Sequence, residues 1–168
     1  MKNKKVLFIT QAAVIAAIYV VLTFVANAFG LANYAIQVRF SEALTILPFF
    51  TPVAIPGLFI GCILSNLLTG CMPLDVVFGS LATLIGAIGT YALRRFSAHK
   101  VTKFLTPLPP IVANTLIVPY VLSSVYEFEG SIPYFMLTVG IGELISCGIL
   151  GLMLLFTLQK HATVIFKS

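Results

Sequence analysis

The segment Gln37-Val-Arg-Phe-Ser-Glu-Ala-Leu-Thr-Ile-Leu-Pro-Phe-Phe50 decides how this chain must fold, because it puts two charged residues, Arg39 and Glu42, at the head of an apolar helix. Of the 168 residues, 60% are hydrophobic and only 9% are charged, with a mean hydropathy of +1.08. Soluble proteins carry about 25% charged residues. The composition therefore predicts an all-α integral membrane protein. A charge at bilayer depth costs on the order of 3 kcal/mol, so it persists where it pairs, lines a cavity or does work.

Six apolar runs follow one another along the chain, and each is interpreted as one crossing of a compact helix bundle. At about 20 residues per crossing, we expect about six transmembrane helices in a single domain, residues 1–168. The runs cover approximately residues 6–29, 40–50, 53–68, 74–93, 105–122 and 132–158. Residues 40–68 could instead form a re-entrant hairpin, which would leave the orientation of the other runs unchanged.

The basic residues predict the orientation of the bundle, because nine of the ten Lys and Arg residues fall in three clusters. The clusters are Lys2, Lys4 and Lys5; Arg94, Arg95, Lys100 and Lys103; and Lys160 and Lys167. Short cytoplasmic loops hold the basic residues of membrane proteins, so we expect all three clusters and both termini on the cytosolic side of a bacterial-type plasma membrane. Topology thereby explains the net charge of +5, and no nucleic-acid partner is expected.

Four ionisable side chains lie within the runs or at their edges: Arg39, Glu42, Asp75 and Glu143. In this orientation the first three lie toward the outer rim, and Glu143 lies eleven residues, or about 16 Å, into the last run. The pattern predicts a polar pocket open to the outside. Two alternatives remain open: Arg39 and Glu42 could form an i,i+3 ion pair, and Asp75 could cap its helix. Glu143 needs a partner, either Arg39 or a ligand donor.

Four further polar residues complete the expected binding site: Asn66, Asn114, Tyr34 and Gln37. Tyrosine rings under an outer loop could stack on a flat ligand. The alternatives are that the two asparagines join helices to one another and that the tyrosine belongs to an interfacial aromatic belt.

Small residues recur at a spacing of four on adjoining faces of the first run: Ala12, Ala13, Ala16 and Ala17. This spacing lets another helix approach closely. The segment Gly57-x-x-x-Gly61 in the third run has the same spacing, and we expect it to pack within the chain.

Catalytic chemistry is not expected. His99 and His161 fall at cytosolic positions away from the acidic pocket, so neither a nucleophile–histidine pair nor a metal site can readily form there. Cys62, Cys71 and Cys147 share no ligand-like spacing and indicate neither a disulfide framework nor a zinc site. The sequence contains no GxxxxGK[ST] phosphate loop, which indicates that this chain is not an ATPase. No cofactor is expected.

Residues 37–50, followed by Pro52 to Asn66 with its two glycines, resemble the queuosine-precursor transporter family, often called QueT, and the resemblance extends over essentially the whole chain. The six runs, the basic cytosolic ends and the small residues of the first run are similar to the substrate-binding S-components of energy-coupling factor (ECF) importers. The resemblance implies capture of a queuosine precursor or a related 7-deazapurine. A transmembrane coupling subunit and two cytosolic ATPase subunits would deliver the ligand inward, and the face from Ala12 to Ala17 would meet the coupling subunit.

The candidate residues suit such a ligand. A deazaguanine edge presents an N–H and an amine side by side, which suits Glu143 or Glu42, and its carbonyl suits Arg39 or Asn66. An aminomethyl-bearing precursor would add a cation, which the surplus of carboxylates suits. Two alternatives stay open: an S-component for another vitamin, such as a thiamine-like or riboflavin-like heterocycle, and a structural membrane subunit whose polar groups only join helices.

Overall fold

The computed structural model describes residues 3–31, 37–96, 100–124 and 130–161. Within these ranges the chain forms helices and turns, and no β-strand. Four helical stretches are long and apolar enough to cross a membrane, and two shorter apolar helices lie between the first and second of them. The predicted all-α membrane fold is therefore confirmed. The number of crossings and the side of the termini stay predictions.

Each predicted run corresponds to one helical stretch, with ends that differ by a few residues. In chain order the first elements are α1, Lys4–Ala28, a 3₁₀ helix, Phe40–Phe49, α2, Ala54–Leu68, and α3, Pro73–Leu93. The next are a 3₁₀ turn, Arg94–Phe96, then α4, Lys100–Leu105, and α5, Leu108–Ser124. The last stretch consists of α6, Ile132–Glu143, a π-helical segment, Leu144–Leu150, and α7, Gly151–Gln159.

The 3₁₀ helix lies in the centre of the bundle. Every residue from Ser41 to Phe49 is buried, and the helix contacts α1, α2, α3, α7 and the π-helical segment. Ile46 is fully buried in the main hydrophobic core together with Leu58 of α2 and Leu155 of α7. At about 2 Å of rise per residue, ten residues of 3₁₀ helix span about 20 Å, which is less than the hydrocarbon thickness of about 30 Å. The helix therefore cannot cross a bilayer by itself, and its polar residues lie among the other helices.

Two glycines of α2 let α1 approach at backbone distance. A Cβ atom at Gly57 would lie 2.9 Å from the carbonyl oxygen of Ala12, and one at Gly61 would lie 2.8 Å from Cβ of Tyr19. The prediction that these glycines pack within the chain is confirmed.

This contact changes what is expected of the alanine face of α1. Ala12 and Ala16 are buried against α2, whereas Ala13 and Ala17 are exposed. Residues four apart on a helix share a face, and α2 already covers the face that holds the first pair. The expected partner surface is therefore reduced to Ala13 and Ala17.

Candidate binding site

Two carboxylates meet in the interior of the bundle. Glu42 from the 3₁₀ helix is 2% exposed, and Glu143 from the end of α6 is 8% exposed. One oxygen of each, together with Sγ of Cys147, lies within 4.8 Å of the others. We call Glu42, Glu143 and Cys147 the acidic cluster. Carboxylates and a thiol are a donor set that can hold a metal ion, although the sequence predicted no metal site here.

The expectation that Glu42 lies at the outer rim is wrong. Its Oε1 accepts a hydrogen bond from the hydroxyl of Tyr19, which is fully buried nine residues before the end of α1. At 1.5 Å of rise per residue, this position is about 14 Å from that end. The error has a physical reason: the rim position assumed that the run was a crossing helix that begins at the surface, whereas the 3₁₀ helix lies inside the bundle.

Only one oxygen of Glu42 has a hydrogen-bond partner in the described part of the chain. Tyr19 donates to Oε1, and Oε2 is buried with no partner there. The alternative of an Arg39–Glu42 ion pair is not realised among the described residues: the Arg39 guanidinium donates to Oε1 of Gln37 at 3.4 Å, and the Glu42 carboxylate accepts from Tyr19. An unsatisfied buried carboxylate oxygen costs more than an ordinary lost hydrogen bond. It is therefore the atom of this site best suited to accept a hydrogen bond from an additional donor.

Glu143 and Cys147 form the second half of the cluster. The Cys147 thiol is 3.0 Å from Oε2 of Glu143, to which it donates, and 3.4 Å from the carbonyl oxygen of Glu42, a second acceptor. Both contacts lie close to the point where α6 changes into the π-helical segment. Such segments are rare and recur at functional sites. Ser146 in the same segment accepts the backbone N–H of Arg39 at 3.1 Å, which fixes the start of the 3₁₀ helix against the last helix.

A cavity opens beside the cluster, between the segment before the 3₁₀ helix, α5 and α6. Its lining residues are Gln37, Arg39, Asn114, Val118, Val139 and Glu143. The empty space is about 300 Å³ with its opening to solvent included, of which about 20 Å³ is wide enough for the centre of a water molecule. A water molecule needs roughly 10–15 Å³ of such space, so the cavity has room for one or two waters and must widen before it takes a bicyclic base.

Asn114 brings a second unsatisfied group to this cavity. The residue is 4% exposed, and its Nδ2 lies near both carboxylates without a well-aligned hydrogen bond to any described residue. Thr115 Oγ1, the next polar atom along α5, is also buried without a partner in the described ranges. A buried donor that lacks a partner among the described residues therefore belongs to the same cavity lining as Glu143.

The structure brings some predicted site residues to the cavity and not others. Gln37, Arg39, Asn114 and Glu143 line it, and Glu42 is behind Glu143. Tyr34 lies outside the described residues.

Asn66 and Asp75 are not among the lining residues. Nδ2 of Asn66 lies 3.6 Å from Sγ of Cys62 in the same helix. The nitrogen is also close to α3, since a Cβ atom added at Gly79 would lie 3.3 Å from it. This is the contact between helices that the alternative interpretation described. Asp75 is buried in the first turn of α3, where the helix dipole favours an anion, and it is the neighbour that attracts the Arg39 cation most strongly.

Two residues of the site were missed in the sequence. Tyr19 lies in the middle of an apolar helix rather than near its end, and a buried tyrosine hydroxyl usually has a partner, so its depth was an available signal. Cys147 follows Glu143 by four residues, one helical turn, but its role depends on Glu42 about a hundred residues earlier. No local pattern connects those two positions.

Apolar helices around a partly polar internal cavity define a multi-pass membrane protein. The chain belongs to the QueT transporter family, which it matches over residues 9–160. Membership supports a transport role, and with the four long apolar helices it places the chain in the plasma membrane.

A curated relative agrees with this family. The chain is 36% identical over 97 residues to the queuosine precursor transporter QueT of Lactococcus lactis subsp. cremoris (strain MG1363). The aligned part covers 57% of this chain and 57% of the relative, which is less than two thirds of the relative's length. No solved structure matches the chain.

Proposed function

We propose that this protein is the substrate-binding S-component of an ECF-type importer and that it captures a queuosine precursor or a related 7-deazapurine. The observation that carries the proposal is the convergence of Glu143 and of the partnerless Nδ2 of Asn114 on one buried cavity. Membership of the QueT transporter family supports transport, and the name of the Lactococcus relative supports the class of ligand.

The lining residues suit the edge of a deazaguanine. The carboxylate of Glu143 can accept an N–H donor of the ligand, and Asn114 or Arg39 can donate to the ring carbonyl. Val118 and Val139 supply apolar surface for the faces of the ring. No aromatic ring is among the described lining residues, so the expected stacking on tyrosine is not part of the proposal. Binding includes a widening of the cavity, since the present space is wide enough only for water.

Release to the inside requires other subunits in this proposal. The sequence has no phosphate-binding loop, so a transmembrane coupling subunit and two cytosolic ATPase subunits would supply the energy. Ala13 and Ala17 are exposed small residues of α1 one turn apart, and a helix of the coupling subunit would pack closely over them. Their partners Ala12 and Ala16 serve the fold instead.

Calorimetry of the detergent-purified protein with 7-deazaguanines tests the ligand assignment, supported by native mass spectrometry for a small molecule that co-purifies. We expect Glu143→Gln to weaken binding by at least about tenfold, because one carboxylate oxygen becomes an amide that repels the ligand's N–H donors. Tyr120→Phe, a change at an exposed residue, should leave binding unchanged. Thiamine and riboflavin serve as the alternative ligands. Binding of neither class, with no co-purified molecule, would favour a structural subunit.

A further inference from the structure

The two carboxyl groups of the acidic cluster contact no cationic group among the described residues. The hydrogen-bond donors to its carboxylates are the neutral Tyr19 hydroxyl and the neutral Cys147 thiol. Arg39, the cation in the cavity lining, directs its guanidinium to Gln37. Two carboxylates removed from water normally require a cation or additional strong donors nearby. In this structure Arg39 is the nearby cation, but among the described residues it contacts neither carboxylate.

The part of the cluster that lacks a hydrogen-bond partner can be assigned to one atom. Oε2 of Glu42 is buried and has no hydrogen-bond partner among the described residues, and its residue is 2% exposed. Glu143, less than 5 Å away, faces the cavity. A ligand that entered the cavity would therefore meet Glu143 first and Glu42 directly behind it. A ligand whose neutral edge bound only to Glu143 would leave Oε2 of Glu42 without a hydrogen-bond partner.

We propose that Glu42, Glu143 and Cys147 form a subsite for a primary ammonium group carried by the ligand. This inference rests on the proposed function of the cavity as the ligand site. An ammonium group has three N–H donors and no acceptor, so it can bond both carboxylates at once. Hydrogen bonds between an ionised donor and an ionised acceptor are roughly twice as strong as neutral ones.

Tyr19 and Cys147 prepare this subsite in different ways. The Tyr19 hydroxyl occupies Oε1 of Glu42, which fixes the carboxylate and leaves Oε2 as the oxygen for the ligand. The Cys147 thiol donates to Oε2 of Glu143 at 3.0 Å and has a second acceptor in the Glu42 carbonyl oxygen at 3.4 Å. A turn of the S–H bond therefore frees the Glu143 oxygen for the ammonium group while the thiol keeps a hydrogen bond.

A matched pair of ligands tests the subsite without any mutation. We expect 7-aminomethyl-7-deazaguanine to bind the wild-type protein at least about tenfold more tightly than its uncharged 7-cyano counterpart in calorimetry. Equal affinity, or tighter binding of the cyano compound, would overturn the subsite while leaving the proposed function intact. If neither compound binds, the proposed function itself fails.

A variant assigns the preference to Glu42. In Glu42→Gln the ratio of the two affinities should fall to about one, whereas Tyr120→Phe, a change at an exposed residue, should retain the preference; the thermal midpoint of each variant checks that it is folded. An unchanged ratio in folded Glu42→Gln would overturn the role of this carboxylate. Metal analysis of the purified protein provides a further test, because a stoichiometric divalent metal that the aminomethyl ligand does not displace would show that the cluster is a metal site instead.

Discussion

The hydroxyl of Tyr19 on α1 donates a hydrogen bond to Oε1 of Glu42 in the 3₁₀ helix. The bond joins the first helix of the chain to the acidic cluster, and Gly61 of α2 gives the tyrosine ring room to reach it. Thr23, one turn further along α1, bonds Ser41 Oγ at 2.9 Å and strengthens the same junction. The helix that carries the exposed alanines is thus also attached to the candidate binding site.

Tyr19→Phe should destabilise the protein by about 1.5–3 kcal/mol, because it leaves a second oxygen of a buried carboxylate without a donor. The measurement is the thermal or denaturant unfolding midpoint in detergent. Tyr120→Phe is the matched control, since that ring is 53% exposed on the bundle surface. Equal stability of the two variants would show that the Tyr19 hydroxyl contributes nothing.

Asn114→Leu should separate binding from folding. Nδ2 of Asn114 has no hydrogen-bond partner in the described residues, so an apolar side chain of similar size leaves the unfolding midpoint unchanged or raises it. The affinity for a 7-deazaguanine should fall by at least about tenfold, because a donor to the ligand is lost. Calorimetry and thermal unfolding on the same preparation measure both effects. A large loss of stability would contradict the assignment of Asn114 to the ligand.

Gly142→Ala should distort the wall of the cavity. A Cβ atom there would lie 2.2 Å from the carbonyl oxygen of Gln37, so the segment that carries Gln37 must move. Overpacking of this kind costs about 1–3 kcal/mol of stability, and the displacement of Gln37 should also weaken ligand binding. Gly140→Ala, two residues earlier, is the control, because its Cβ would make an ordinary 3.5 Å contact with Thr115. Similar behaviour of both variants would reject the close contact.

Tryptophan at Ala13 and at Ala16 should have different consequences. Ala13 is exposed, so Ala13→Trp should leave folding and ligand affinity intact and should reduce co-purification with a coupling subunit. Ala16 is buried against α2, so Ala16→Trp should lower the yield of folded protein instead. Val21→Trp, at a position 59% exposed, controls for a bulky ring on the lipid-facing surface. Normal assembly of Ala13→Trp would exclude this face as the interface.

The sequence predicted the helices well and the interior of the site poorly, for physical reasons. Long apolar runs and prolines determine where helices exist, and these signals are local. The depth of Glu42 depends on whether its helix crosses the bilayer or is surrounded by other helices, and hydropathy is similar in both cases. The acidic cluster joins a residue of the 3₁₀ helix to two residues a hundred positions later, so only the packed bundle reveals it.

Asn66 is a second residue whose role the local sequence could not predict. A buried membrane asparagine fits either a ligand site or a contact between helices, and its own sequence surroundings do not distinguish them. The structure places Asn66 on α2 against α3, away from the lining of the cavity, whereas Asn114 is one of the lining residues. For both asparagines, the neighbouring residues on other helices determine which role the side chain can have.

The π-helical segment determines which side chains can share the interior of the last helix. Glu143 and the core residue Leu155 are twelve residues apart, and in a regular α-helix they would point about 120° away from each other. A π turn accommodates one extra residue, which removes about 100° of that difference. Both residues are buried, as this correction of about 100° predicts. Deletion of one residue from Leu144–Leu150 would turn either the carboxylate or the core leucine toward lipid, so this stretch should tolerate substitutions far better than changes in length.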